Sequence, residues 1–139
     1  MINVEPIKKN KKAYENYVCG VCFHTLDKCT CRAFPPYEIM CIDREMQYII
    51  RTLVSKGHLT NGCCEGHYEK GRNIVGRTYI SFIVDGMENY GIPDGFVWKN
   101  KSLIHDYKNC SKKEMAVEKE KVFNTLINWV DNLPSRIRR

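Results

Sequence analysis

Four thiols early in the chain carry the most specific chemical signal: Cys19 and Cys22 in Cys-Gly-Val-Cys, then Cys29 and Cys31 in Cys-Thr-Cys. A Cys-x-x-Cys turn aims both sulfurs at one ion, and Gly20 lets the backbone make that turn. Cys29 and Cys31 complete a tetrahedron. Thiolates suit zinc, which is borderline soft, has no redox chemistry and accepts four-sulfur geometry. Four protein ligands leave no position for water, so the expected zinc is structural, supplying folding energy on the order of 10 kcal/mol. Only Thr30 separates the second pair, which makes His24 a substitute ligand, and an iron–sulfur cluster is the alternative occupant. Arg32 puts a cation on the rim of this module. The plain alternative is four buried or redox-idle cysteines.

A second stretch, Thr60 to His67, reads Thr-Asn-Gly-Cys-Cys-Glu-Gly-His. Gly62 and Gly66 permit backbone conformations that gather N–H groups into an anion-binding concavity, and Lys70, Arg72 and Arg77 follow on the same loop. A phosphate suits that setting. The expected ligand-binding set is Gly62, Cys64, Glu65, Gly66, His67, Lys70, Arg72 and Arg77. In an enzyme, Cys64 would be nucleophile or positioning group, with Glu65 and His67 as acid–base groups. A second metal site can be drawn from Cys63, Cys64 and His67 with Cys110 or His58. Adjacent cysteines point in opposite directions along an extended chain, which works against joint ligation by Cys63 and Cys64. The plain alternative is a hairpin turn with a few polar side chains, and Cys41 reads as a core thiol.

These residues need elements to position them. Residues 1–17 read as a basic tail, 18–36 as a four-cysteine zinc-binding module, and 37–139 as an α+β domain. Ala33-Phe-Pro-Pro36 marks the handover, since two prolines force an extended path. Tyr37 to Ile42 reads as a strand. Asp43 suits the N-cap of a helix whose apolar residues Met46, Ile49, Ile50, Leu53 and Val54 recur at helical spacing until Gly57. Leu59 to Cys63 and Thr78 to Val84 read as strands, the latter with Thr78, Ile80, Phe82 and Val84 on one face and Tyr79, Ser81 and Ile83 on the other. Phe96 to Lys99 is a further short strand, and Ser102 to Cys110 has no clear assignment. Ser111-Lys-Lys-Glu114 has capping-box spacing and opens a long helix. Met115, Val122, Phe123, Leu126, Ile127, Trp129, Val130 and Leu133 stripe that helix, and Pro134 ends it. The expected fold is a small antiparallel sheet covered by two helices on one face, with an N-terminal zinc-ribbon-like module.

A chain of 139 residues buries one modest core with room for a small added module. Its formal charge of +6 favours an anionic partner, with basic residues crowded at Lys8 to Lys12 and at Arg136, Arg138 and Arg139. No apolar run follows Met1, and none approaches the roughly 20 residues that span a bilayer, so neither a secretory signal nor membrane insertion is expected. The cytoplasm, host cytoplasm if phage-encoded, is the expected compartment. There eight cysteines stay reduced and their paired spacings point to metal.

The run Ile49 through Leu53, Lys56-Gly57, Thr60, Cys63-Cys-Glu-Gly-His67 and Tyr79-Ile-Ser-Phe82 resembles small uncharacterised proteins of Firmicutes and their phages. These share a helix ending Lys-Gly, a Ser/Cys-Cys-x-Gly-His turn and a Tyr-Ile-x-Phe strand. More distantly, Thr60, Cys64 and Gly66 are similar to a loop of the TYW-type wybutosine-synthesis methyltransferases, Thr-Thr-Ser-Ser-Cys-Ser-Gly-Arg, from which Asn61, Gly62, Cys63, Glu65 and His67 depart. That resemblance covers roughly a third of the chain and implies a fold rather than methyl transfer. Arg77 to Phe82 also resembles the aromatic strand of RNA-recognition modules, where exposed rings stack on bases.

The sequence thus leads to a zinc-stabilised binding protein of phage or mobile-element type that captures a nucleotide or nucleic-acid phosphate. An inhibitory, sequestering or anti-defence role would fit. An enzyme acting on a nucleotide or RNA through Cys64, Glu65 and His67 is the second reading, ranked lower because no catalytic constellation is complete: there is no deaminase pattern and no P-loop. A zinc-organised protein-interaction module is the third. A homodimer is expected on base rates alone.

Overall fold

The computed structural model describes residues 17–19, 24–25, 28, 39–69, 74–107 and 110–136. Chain contacts divide it into two compact units, Met1–Arg51 and Thr52–Arg139. The division falls inside a helix, α1 (Gln47–Ser55).

In the first unit, β1 (Tyr17–Cys19) pairs antiparallel with β2 (Ile39–Cys41), in the register Tyr17 to Cys41 and Cys19 to Ile39. The expected strand at Tyr37 to Ile42 is therefore present over Ile39–Cys41, but it forms its own two-stranded ladder instead of joining the main sheet. Val18 also bridges Thr25, and the Cys19 N–H donates to the His24 carbonyl at 2.9 Å. Asp43 stands at the N-cap position with φ −49° and ψ 136°, but its side chain makes no capping bond. A 3₁₀ turn over Arg44–Met46 comes first, and the α-helix proper starts at Gln47. The buried Gln47 side chain ties this entry down by donating to the Ile42 carbonyl at 3.1 Å. Met46, Ile49 and Ile50 are buried, as their spacing predicts. Gly57 ends the helical path at φ 86°, a left-handed conformation that glycine adopts without steric cost.

The second unit holds a four-stranded antiparallel sheet in the order β3-β6-β8-β7, formed by β3 (Thr60–Cys64), β6 (Arg77–Phe82), β7 (Val97–Lys99) and β8 (Ser102–Asp106). Between β3 and β6 lies a small ladder of β4 (Tyr68–Glu69) and β5 (Ile74–Val75). The expected continuous loop over 62–77 is thus partly regular structure. β6 alternates as its sequence predicts, with Thr78, Ile80 and Phe82 buried. Registers place Leu103 and His105 of β8 on that same face.

α2 (Lys112–Asn132) lies against this face, since its Glu118 carboxylate bonds His105 and its Lys119 ammonium reaches the Gly66 carbonyl. Its start is the expected capping box: the Glu114 N–H donates to Ser111 Oγ, and the Ser111 N–H donates to the Glu114 carboxylate, holding that carboxyl below the usual range. Met115, Val122, Leu126, Val130 and Leu133 are buried. Among the described residues no helix is long and apolar enough to cross a membrane. The described residues therefore form an α+β fold with a four-stranded antiparallel sheet and two α-helices.

β8 (Ser102–Asp106) takes up the first part of the stretch Ser102 to Cys110 that the sequence leaves unassigned. The hairpin joining β7 to it turns on Asn100 and Lys101, both at positive φ (51° and 60°), where the usual glycine signal is missing. Lys101 is held there by its ammonium, which donates to the Ile83 carbonyl at 2.8 Å and pairs with Asp85 at 3.1 Å.

The end of α2 is closed from outside the helix. The Lys56 ammonium donates to the carbonyls of Val130 (2.7 Å), Asp131 (3.0 Å) and Leu133 (2.8 Å). A cation at a helix C-terminus satisfies orphan carbonyls and complements the dipole. Beyond the helix, buried His58 places Nε2 2.7 Å from the Pro134 carbonyl, while Arg136 Nε donates to His58 Nδ1 at 3.0 Å. Only the neutral ring protonated on Nε2 satisfies both partners.

Burial pushes the His58 pKa down most; the bond to Pro134 opposes this, and the charges of Arg136 and Lys56 add to it. A depressed histidine makes the unfolded chain the stronger proton acceptor, so its stabilisation is complete above about pH 6.5 and is lost as pH falls through the folded-state value. The urea midpoint should therefore drop between about pH 7 and pH 5, and His58→Gln should be less stable at neutral pH with a flatter acid dependence. An unchanged slope in the variant would assign the acid sensitivity elsewhere.

Candidate functional site

The turn Glu65–Gly66–His67 joins β3 to β4, and its three successive carbonyls are all engaged. The Glu65 carbonyl accepts from Thr78 Oγ1 at 2.7 Å, the Gly66 carbonyl from Lys119 Nζ at 2.9 Å, and the His67 carbonyl from the Gly76 N–H at 3.2 Å. Thr78 Oγ1 also lies 2.7 Å from the Tyr107 hydroxyl. Because Thr78 gives its one proton to Glu65, Tyr107 must donate to Thr78. Burial pushes the Tyr107 pKa up to about 12, which keeps it protonated as that donor.

The expected concavity of N–H groups over Gly62 to Gly66 is not formed. Gly62 sits within β3, where the register shifts between Thr60 and Gly62, and it is absent from the positive-φ glycines. Gly66 does have a positive φ (94°), but its N–H donates to Cys64 Sγ at 3.4 Å. Pairing of β3 with β6 extends as far as Cys64, opposite Tyr79, and this straightens the segment expected to curl. The turn offers a sulfur, an imidazole and inward-facing carbonyls in place of a phosphate cradle.

The other ligand-binding candidates divide sharply. Cys64 is half-buried and His67 exposed, and Cys64 Sγ lies within 4.8 Å of a His67 ring nitrogen. The Glu65 carboxylate turns toward Lys119, 3.5 Å away, with its side chain 18 % exposed. Arg77 stands on β6, paired with Asp106 at 3.1 Å. Lys70 and Arg72 lie outside the described residues.

Of the four expected zinc ligands, Cys19 is buried in β1, while Cys22, Cys29 and Cys31 lie outside the described residues. His24, the substitute ligand, is exposed. Within Thr52–Arg139, neither Cys63, Cys110 nor His58 joins Cys64 and His67 as a third ligand at that spacing. His58 is held by Pro134 and Arg136 at the far end of α2. Burial, then the charges of Glu118 and Glu114, pushes the Cys110 thiol up and away from the reactive thiolate.

Thr78, Tyr107 and Lys119 belong to this site although the sequence does not single them out for it. Thr78 has a legible signal, a hydroxyl on the apolar face of β6, where a buried polar group needs partners. Tyr107 falls in the unassigned stretch, and Lys119 looks like one of many helix-surface cations.

On the opposite face of the sheet, the registers align Cys64, Tyr79, Ile104 and Val97 in one cross-strand row. Gly62, Ser81, Ser102 and Lys99 form the next row, and Arg77 with Asp106 flanks the first. Ser81 and Ser102 join hydroxyls at 2.7 Å, and Val97 is 63 % exposed. No protein-family model, curated protein or solved structure matches this chain.

Gly66 of the turn and Gly62 of β3 should differ in their response to alanine. A Cβ at Gly66 would lie 2.9 Å from Tyr107 Cε2 and require a left-handed alanine, whereas the nearest atom to a Cβ at Gly62 is Ser81 Cβ at 4.0 Å. Gly66→Ala should cost about 1–3 kcal/mol and Gly62→Ala less than about 0.5 kcal/mol in urea unfolding. Equal costs would show that the turn is not held as described.

Proposed function

We propose that this chain is a zinc-stabilised binding protein that takes a nucleotide or a single-stranded nucleic-acid segment on the sheet face carrying Tyr79. The observation that carries this reading is the cross-strand alignment of Tyr79 with Ile104 and exposed Val97, bordered by Lys99 and by the Arg77–Asp106 ion pair. An aromatic ring on a sheet surface stacks on bases of any sequence, and neighbouring cations meet the phosphates. The net charge of +6 favours the same class of partner. The ligand thus contacts the sheet rather than a glycine cradle, with Cys64 at the end of the Tyr79 row.

The proposed zinc-ribbon-like module uses Cys19, Cys22, Cys29 and Cys31. It is supported by the antiparallel bridge between Val18 and Thr25, one residue on the N-terminal side of Cys19 and three on the C-terminal side of Cys22. Four thiolates there would hold zinc as a structural ion. A sequestering or inhibitory role in a phage setting rests on the sequence resemblance alone. The enzyme reading loses support because Glu65 is engaged by Lys119 instead of standing ready for proton transfer.

Fluorescence anisotropy with short mixed-sequence RNA and DNA strands, alongside nucleotide titrations, tests the reading. Tyr79→Ala should weaken binding about 10-fold, in line with the loss of one stacked base, and the affinity should fall with added salt. Absence of binding by the intact chain to strands and nucleotides alike would overturn it.

A further inference from the structure

We infer that Cys64 and His67 form a second site, for a soft or borderline transition-metal ion such as Zn²⁺ or Co²⁺, separate from the four-cysteine module and independent of the nucleic-acid reading. The spacing Cys-x-x-His puts sulfur and imidazole on one short turn, and the two donor atoms already lie within 4.8 Å. Bonds of about 2.3 Å to sulfur and 2.0 Å to nitrogen put tetrahedral ligands roughly 3.5 Å apart, inside that limit.

The turn is organised around the sulfur. The Gly66 N–H donates to Cys64 Sγ at 3.4 Å, which orients the sulfur within the turn. The carbonyls of Glu65, Gly66 and His67 are fixed by Thr78, Lys119 and Gly76, so the backbone between the two donors is set before any ion arrives. Gly76 allows this closeness: a Cβ there would lie 2.5 Å from the His67 carbonyl oxygen. The supporting contacts match what a metal site asks of its surroundings, namely ligands oriented by groups that do not themselves bind the ion. A sulfur–nitrogen pair selects zinc, cobalt, nickel or copper over magnesium or calcium.

Cobalt titration of the full, reduced, metal-free chain tests the inference, with sulfur-to-cobalt absorption and bound metal per chain as readouts. The expected result is a weaker cobalt class that both Cys64→Ser and His67→Asn remove, while Cys22→Ser leaves it in place. Loss of a ligand should lower the apparent affinity of that class by more than the 10- to 100-fold typical of losing a supporting partner. His67 is exposed, so His67→Asn remains informative even if Cys64→Ser lowers stability. Unchanged cobalt stoichiometry and spectrum in His67→Asn would overturn the site.

Discussion

The hydroxyl of Thr78 is the point on which the candidate site depends. It stands on the apolar face of the central strand β6, fully buried, where an unpaired hydroxyl would cost roughly 1–3 kcal/mol. Its partners, the Glu65 carbonyl and the Tyr107 hydroxyl, are drawn from the turn after β3 and the residue after β8. Satisfying one buried polar atom thus fixes a turn to the sheet. Lys119 extends the same tie to α2, and the Cys64–Gly66–His67 arrangement follows from it.

Cations hold much of the remaining structure, and this alters what the charge means. Lys56 closes the last turn of α2, Lys101 holds a left-handed hairpin residue, Lys119 fixes the Gly66 carbonyl, and Arg136 bonds His58 and the Asp85 carbonyl. Each answers backbone carbonyls that secondary structure leaves without a partner. Helix termini and tight turns generate such carbonyls, and long flexible side chains reach them. The formal excess of +6 therefore overstates the positive charge offered to a ligand. This is why the binding reading rests on an aligned sheet face rather than on net charge.

Local signals make much of the fold legible. The apolar spacing of Ile49, Ile50 and Leu53, the alternation of Thr78, Ile80 and Phe82, and the Ser111–Glu114 capping box all become the elements they indicate. The β8 strand escapes such reading because Asn100 and Lys101 make its turn without glycine, and because its inward-facing His105 is polar and bonded to Glu118. In the candidate site, proximity of Cys64 and His67 follows from their spacing, but the behaviour of the glycines does not. Whether Gly62 curls or extends is decided by the pairing of β3 with β6, a long-range choice that no local motif records. The pin formed by Thr78 and Tyr107 joins residues 29 apart and is invisible for the same reason.

Thr78 therefore holds the Cys64–His67 turn in place, while the sheet draws its own stability from the apolar residues around it. Amide hydrogen exchange across the turn and across β6, compared between the natural chain and Thr78→Val, separates these two contributions. The expected result is faster exchange at Gly66 and His67 in the variant while Ile80 to Phe82 keep their protection. An unchanged turn, or loss of protection throughout the sheet, would contradict the role given to Thr78.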